Sequence, residues 1–378
     1  MTIKTISLSL SILLLTACSS QKINKENIES NITTTQVESN IISEPIITQE
    51  TVVSPSETIG YGISGDFAGN YKLHDFIQRM VSENGFDEST LNQLFSQAQN
   101  TKLMPAPVYE RRRGRTISTN QTGKWDRYKN MFVYENNIQR GLAFWEEHKD
   151  ALNRAYEVYG VLPEYIMGII GIETAYGVNF GKKRVIDVLT TKSMTGDRRE
   201  GFYTDQLEKF LIMTQKANLQ PAELMGSSAG AMGYGQFIAS SYLDFAVDFN
   251  NDGVIDLWNA DDAIGSIANY FARNGWNRSL KTVAVRAKYR GNRFRRLKTG
   301  YKTKYSQYVL RKRHHITPRQ RLHFNGAVSL IKLPRYSHDE LWMGTHNFRV
   351  ITTYNHSELY GMAVHHLANA VRKRRYGH

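Results

Sequence analysis

One carboxylate in this sequence stands where chemistry could recruit it. Glu173 lies in Met167-Gly168-Ile169-Ile170-Gly171-Ile172-Glu173-Thr174-Ala175-Tyr176-Gly177, and the run 163–174 is nearly all apolar, with Glu173 its one acidic residue beyond the first turn. A carboxylate deprived of water resists ionisation, so its pKa rises. A carboxyl still protonated near neutral pH can donate to a glycosidic oxygen, the task of a glycosidase general acid. The segment alone fits equally well a helix-terminal Glu that turns to solvent or pairs with Arg184. Gly168 and Gly171 carry no side chains, so another chain or a ligand can come close.

Two further stretches carry chemistry. Residues 226–237, Gly-Ser-Ser-Ala-Gly-Ala-Met-Gly-Tyr-Gly-Gln-Phe, are dense in Gly and Ala, with polar Ser227 and Gln236. Small residues make a shallow floor on which a flat sugar could lie. An amide such as Gln236 both donates and accepts hydrogen bonds, as an acetamido group requires. As a purely structural loop, so much glycine is entropically expensive. Residues 248–256 read Asp-Phe-Asn-Asn-Asp-Gly-Val-Ile-Asp, the first part of an EF-hand loop. Asp248, Asn250 and Asp252 stand at positions 1, 3 and 5, Gly253 permits the turn, and Val254 offers its carbonyl. Asn259 replaces the usual bidentate Glu at position 12, so a metal-free Asx-rich turn fits as well. No motif calls for an organic cofactor.

The elements that must position these residues are mostly helical. Leu73, Phe76, Ile77 and Met80 recur at helical spacing until Asn84-Gly85, and Leu91, Leu94, Phe95 and Ala98 suggest a second helix with Ser89 as its cap. Gly160 fits a helix stop, Pro163 the first turn of the next helix, and residues 204–216 an amphipathic helix. After Trp276 the pattern changes. Residues 282–285 and 328–333 read as strands, as do 347–353, and 358–374 closes the chain as a helix. Asp187, Asp197, Glu200 and Asp205 follow Glu173, but the sequence places none of them opposite it.

Composition and the N-terminus bound the setting. The chain has 378 residues and a formal net charge of +13, which biases it toward anionic partners. Much of that charge lies in 286–321, interleaved with Tyr289, Tyr301, Tyr305 and Tyr308; Arg111-Arg112-Arg113-Gly114-Arg115 is a second basic run. Residues 6–15 form an apolar run too short for the roughly 20 residues of a spanning helix, and it reads as a secretory signal. Leu15-Thr16-Ala17-Cys18 resembles a bacterial lipobox, which implies a lipid on Cys18, the sole cysteine. Ser19 in place of Asp after it favours, by resemblance to enterobacterial sorting, the outer membrane facing the periplasm of a Gram-negative cell. An exported protein meets little RNA, so no nucleic-acid partner is expected. The basic Tyr-rich segment fits an anionic wall polymer, phospholipid or a merely solvated surface.

Taken together, the ordered motifs resemble the membrane-bound lytic murein transglycosylase B family. Gly-Ile-Ile-Gly-Ile-Glu-Thr is followed by Gly-Ala-Met-Gly-Tyr-Gly-Gln-Phe and Ile267-Ala268-Asn269-Tyr270-Phe271. Trp125-Asp126-Arg127-Tyr128, Ala151-Leu152-Asn153-Arg154-Ala155 and Thr353-Tyr354-Asn355-His356-Ser357 also fit, over most of 67–371.

The resemblance implies a mainly α (α+β) protein with a lysozyme-like helical core. Residues 1–18 would be the signal peptide and 19–62 a disordered tether. An N-terminal helical unit would occupy 63–124, joined by the C-terminal helix 356–378. The catalytic core would be 125–280, with its calcium loop at 248–262, and a small basic β-containing unit 281–355. It carries the single catalytic acid over to Glu173. Substrate contacts go to Tyr128, Arg198, Arg199, Ser227, Gln236, Phe237, Tyr270, Tyr354, Asn355 and Tyr360. Tyrosines offer stacking faces, the arginines could take lactyl or stem-peptide carboxylates, and Ser227 could hydrogen-bond Glu173. The family's enlarged calcium loop closes at position 15, here Asp262. The implied activity is cleavage of the β-1,4 bond between N-acetylmuramic acid and N-acetylglucosamine in peptidoglycan, leaving 1,6-anhydro ends. Product chemistry separates this from a muramidase, and lysis separates both from a wall-binding protein that only retains the fold. Partner enzymes of the cell wall are left open by the sequence.

Overall fold

The computed structural model describes residues 62–101 and 123–377. The signal segment with Cys18, most of the tether and the basic run 111–115 lie outside them. Two N-terminal helices, α1 (Tyr71–Asn84) and α2 (Glu88–Ser96), lead to α3 (Lys124–Asn130), α4 (Glu135–Glu147), α5 (Lys149–Tyr159) and α6 (Pro163–Glu173). Gly85 and Gly160 end α1 and α5 in the left-handed region, at φ 72° and 70°, and Pro163 opens α6. The chain continues through β1 (Lys183–Arg184), α7 (Val185–Met194), α8 (Glu200–Lys216), β2 (Met225–Gly226), α9 (Ala239–Phe245) and α10 (Ala260–Arg273). A small mixed unit follows: β3 (Ala284–Lys288), α11 (Gln307–His314), β4 (Thr317–Pro318), β5 (Ser329–Pro334) and β6 (Asp339–Gly344). Helices α12 (His346–Tyr354) and α13 (Glu358–Tyr376) close the chain. Among the described residues the protein is mainly helical with two small sheets, as its sequence pattern implies.

Two local readings of the sequence are corrected, and one strand is added. The cap of α2 is Asp87, not Ser89: its carboxylate accepts the Thr90 N–H at 2.7 Å and the Thr90 hydroxyl at 2.8 Å, so the helix opens at Glu88. Residues 347–353 are helical, not extended. The β-branched run Val350-Ile351-Thr352-Thr353 favours a strand locally. Tertiary contacts decide otherwise: Phe348, Val350 and Ile351 are buried, and the Asn347 amide donates to the Asn277 and Leu280 carbonyls. The strand beside β5 is instead β6, whose polar opening Asp339-Glu340 hid it. Its register runs from Ser329 opposite Gly344 to Pro334 opposite Asp339, within an antiparallel sheet of order β4-β3-β6-β5.

Helix α6 is the axis of the molecule. Tyr165 to Ile172 are all buried, and one continuous core extends from Ile63 to Val371. The C-terminal helix α13 lies against α6, the helix that carries Glu173, and against α4 and α3. Glycine makes that contact possible. A Cβ at Gly168 would lie 2.9 Å from the Val364 carbonyl, and one at Gly171 would lie 2.6 Å from the Leu367 side chain. The close approach that Gly168 and Gly171 permit is therefore to another part of the same chain.

The small unit has a core of its own around Val285, Leu310, Ile316, Leu330 and Met343. It is riveted to α3 by charge. Arg335 donates to Asp126 at 2.6 Å and to Glu340 at 3.0 Å, and Glu340 also pairs with Arg286 at 3.0 Å. Asp126 and Glu340 are buried, so their pairing with arginine is what makes that burial tolerable.

Candidate active site

Glu173 is the last residue of α6. The next residues turn sharply: Ala175, Tyr176 and Gly177 have φ of 50°, 62° and 86°. Left-handed backbone is costly for alanine and tyrosine, and a rigid surround must impose it. The Thr174 hydroxyl lies 3.1 Å from the Ile170 carbonyl and 3.3 Å from that of Tyr234, and it accepts the Gly177 N–H at 3.2 Å. The Tyr176 ring fills a slot where a Cβ at Gly141 or Gly171 would lie 2.7 or 2.5 Å from its hydroxyl. The turn fixes the direction of the carboxyl.

The partner of that carboxyl is Tyr360. Its hydroxyl donates to Glu173 Oε1 at 2.6 Å. Ser357 caps α13, its hydroxyl accepting the Tyr360 N–H at 3.3 Å, so Tyr360 sits in the first turn of the helix that α6 receives against its glycines. Glu173 keeps only part of its surface open to solvent. Burial pushes its pKa up to about 7, and the Tyr360 hydrogen bond opposes that rise. The carboxyl also stands at the negative end of the α6 dipole, which disfavours its charge further. Tyr128 is close enough to sense the charge: burial, and secondly Glu173, push its hydroxyl up to about 12.

Tyrosines continue outward from this pair. The rings of Tyr354 and Tyr360 are near parallel, at 7° and 6.5 Å between centroids. Tyr270 meets Tyr354 edge-on at 4.9 Å, and the Tyr354 hydroxyl donates to the Gly235 carbonyl at 2.6 Å. The 226–237 stretch is therefore joined to Glu173 through Tyr354. It is a double hairpin, with Gly226 bridging Met232 and Met232 bridging Phe237, and β1 pairs antiparallel with β2 at its mouth.

Ser227 does not hydrogen-bond Glu173. Its hydroxyl accepts the N–H groups of Ala229 and Ala231, at 3.3 and 3.1 Å, and so closes its own turn. Gln236, at φ 51°, turns its amide NH2 to the carbonyls of Phe180 and Gly233, both at 3.2 Å. Phe237 is sealed in the core against Tyr270 and Tyr354; it buttresses those rings and offers no open face. Tyr360 is equally buried and reaches the site through its hydroxyl. Asn355 ends α12 and is half-buried. Arg198 is exposed, and the Arg199 guanidinium lies 4.0 Å over Phe202 at the start of α8. Arg184 pairs with Asp187 at 2.8 Å, which removes it as the partner of Glu173. Sequence reasoning overlooked Thr174 and Tyr176, although the Glu-Thr-Ala-Tyr-Gly run marks the turn by ending in glycine.

The 248–262 loop is knit by its own acids. Asp248 accepts from the Asn251, Asp252 and Gly253 N–H groups, and Asp252 from that of Val254. Asp262, fully buried, accepts from Phe249, Asn250 and Asp256. Its pKa is raised by burial against those donors, with the Asp248 charge adding to the rise. Asp248, Asn250, Asp252 and Asp262 offer hard oxygens, the donor type that Ca²⁺ takes, while His148 meets Asp261 at 3.3 Å and Arg154 donates to the Phe249 carbonyl at the loop's flank. Among the described residues no three acidic or histidine side chains converge to hold a metal, so Asn250 and the Val254 carbonyl would have to complete any set.

A lone acid of raised pKa thus stands at the end of an oily helix, backed by tyrosines. The family described as the transglycosylase SLT domain matches residues 69–369, and the chain belongs to it. The membrane-bound lytic murein transglycosylase B of Escherichia coli (strain K12) is 42% identical over 311 residues, 82% of this chain and 85% of that protein. The E. coli lytic transglycosylase SLT35 in complex with bulgecin A superposes with a TM-score of 0.73 at 42% identity, covering 83% of this chain and 96% of that one. The same enzyme in complex with calcium gives a TM-score of 0.74 at 43% identity, with the same coverage.

The raised acidity constant has a thermodynamic signature. The folded-state pKa of Glu173 exceeds the ordinary 4.5, so the stability linked to its proton is whole below pH 4.5 and is lost as pH rises through about 7. Glu173→Gln should match the parent in urea unfolding near pH 4 and exceed it at pH 8, by at most about 3 kcal/mol. No gain at pH 8 would mean that the carboxyl meets no desolvation.

Proposed function

We propose that this chain is a lytic murein transglycosylase that cuts the β-1,4 bond between N-acetylmuramic acid and N-acetylglucosamine, using Glu173 as acid and then as base. The observation that carries the reading is the 2.6 Å contact from the Tyr360 hydroxyl to Glu173 Oε1, on a carboxyl whose pKa is pushed up to about 7. With Oε1 accepting from Tyr360, the proton resides on Oε2 and can pass to the bridging oxygen. The leaving sugar departs as an alcohol, and positive charge develops at C1 of the muramoyl ring. The substrate's own 2-acetamido group can carry that charge, so a second protein carboxylate is not needed. Glu173, now ionised and still held by Tyr360, takes the proton of the muramoyl C6 hydroxyl, whose oxygen closes on C1. Attack within one molecule avoids the entropy of capturing a separate nucleophile.

Around this centre, Tyr128, Tyr270, Tyr354 and Asn355 would line the saccharide path, with Gln236 and Ser227 shaping its floor and Arg198 and Arg199 meeting substrate carboxylates. Phe237 would act from behind Tyr270 and Tyr354. Ca²⁺ would be held by Asp248, Asn250, Asp252, the Val254 carbonyl and Asp262, drawing together acids that do not converge in its absence and supplying charge neutralisation to the loop that precedes α10. Support comes from the side-chain oxygens of Asp248, Asn250, Asp252 and Asp262 within one loop and from the calcium complex of a relative 43% identical. A lipid on Cys18 would hold the enzyme at the outer membrane, facing the wall.

Mass spectrometry of the fragments released from purified sacculi tests the reaction. The expected products end in 1,6-anhydromuramic acid and are absent with Glu173→Gln; reducing muramic ends would make the enzyme a hydrolase. Titration calorimetry tests the metal. Ca²⁺ should give heat and raise the melting temperature, whereas no heat and no shift with either Ca²⁺ or Mg²⁺ would remove the site.

A further inference from the structure

The net charge of this protein has a single address. Residues 286–321 hold 14 Lys and Arg and no Asp or Glu, more than the +13 of the whole chain, so everything else is close to neutral. Thirteen of the fourteen are exposed; the other, Arg286, pairs with Glu340. Among the described residues none of the thirteen has an ion-pair partner. Phe294 is the one buried residue of the 3₁₀ turn Arg293–Arg296 and Leu310 that of α11, both anchored in the small core. Concentrated like charge opposes the compactness of the unit that bears it. A bound polyanion would relieve that repulsion.

The position of the surface favours one polyanion. Tyr301, beside exposed Lys302 and Lys304, lies parallel to His356 at 5° and 6.4 Å. His356 is two residues beyond Tyr354, whose ring stacks on Tyr360. The basic surface thus begins next to the tyrosines of the Glu173 site and extends away over the small unit. A bilayer is a poorer match, because the segment exposes one large hydrophobic residue, Tyr308, and surface-lying elements need an apolar face.

We propose that this basic surface is a second, non-catalytic docking site for murein, which holds the free carboxylates of stem peptides while Glu173 acts on the glycan. It rests on the murein reading above. The arginines of Arg293–Arg296 and α11 suit carboxylates through paired N–H donors.

Sedimentation with purified sacculi tests it, using the full chain carrying Cys18→Ser so that no lipid anchor contributes. The parent should bind sacculi with an affinity that falls as salt rises. A variant with Arg295, Arg296, Arg311, Lys312 and Arg313 each changed to Gln should bind about tenfold more weakly or worse. Its kcat on a short soluble muropeptide should be unchanged, which also verifies its fold. Sacculi stripped of peptides by an amidase should bind the parent as weakly as the variant. Equal binding by parent and variant, salt-independent binding by the parent, or undiminished binding to stripped glycan would overturn the proposal. Preferential binding to anionic phospholipid vesicles would overturn it too, and assign the surface to a membrane. Glu173→Gln should dock normally. If that variant instead lyses sacculi, the catalytic assignment fails and the docking result stands separately.

Discussion

A carboxyl group partly shielded from water at the end of an apolar helix is the constraint around which this molecule is organised. Helix α6 can carry Glu173 into the interior only because nearly every other side chain on it is apolar and buried. That burial raises the pKa, but an isolated buried carboxyl would be useless once ionised. The Tyr360 hydroxyl supplies the hydrogen bond that lets both protonation states exist within reach of neutral pH. Tyr360 comes from the far end of the sequence, and α13 delivers it because Gly168 and Gly171 leave α6 bare on that side. One packing contact between helices therefore sets the acid, its hydrogen-bond donor and their separation.

The rest of the site hangs on the same contact. Tyr354 stacks on Tyr360 and holds the Gly235 carbonyl, which ties the Gly/Ala hairpin to the acid. Thr174 makes the reverse tie, from the α6 terminus to Tyr234. The hairpin spends its own polar groups on its shape, Ser227 on its turn and the Gln236 amide NH2 on Phe180 and Gly233. It supports the acid at one remove, through tyrosine, and not by touching it.

Much of this was readable from residues. The oily run with one interior acid, the missing side chains at Gly168 and Gly171, the Gly85 and Gly160 stops and the period of the final helix all act locally, and local patterns survive in a linear sequence. What was not readable depends on distant partners. Residues 346–354 carry β-branched side chains that suit a strand, and only Asn277, Leu280 and the core make them a helix. Ser227 was offered as a partner for Glu173 through resemblance; the fold instead engages its hydroxyl in its own turn. Tyr360 was reached only through resemblance, since nothing in residues 358–374 distinguishes it from a core aromatic. The position-15 Asp262, likewise implied by resemblance, closes its loop through three backbone N–H groups that no spacing rule would assign.

The small unit is electrostatically a different object from the body it is riveted to. One buried acid of the body, Asp126 in α3, attaches it through Arg335, which Glu340 of the unit itself also holds, while its exposed cations have no ion-pair partner among the described residues. The body, close to neutral, holds the one group whose protonation matters, and the account stands or falls with that group. Infrared difference spectroscopy between the parent and Glu173→Gln, recorded across pH, would isolate the carbonyl stretch of the protonated side chain. The band should persist through mildly acidic pH and vanish with a midpoint near 7; a midpoint at the ordinary 4.5 would contradict the account.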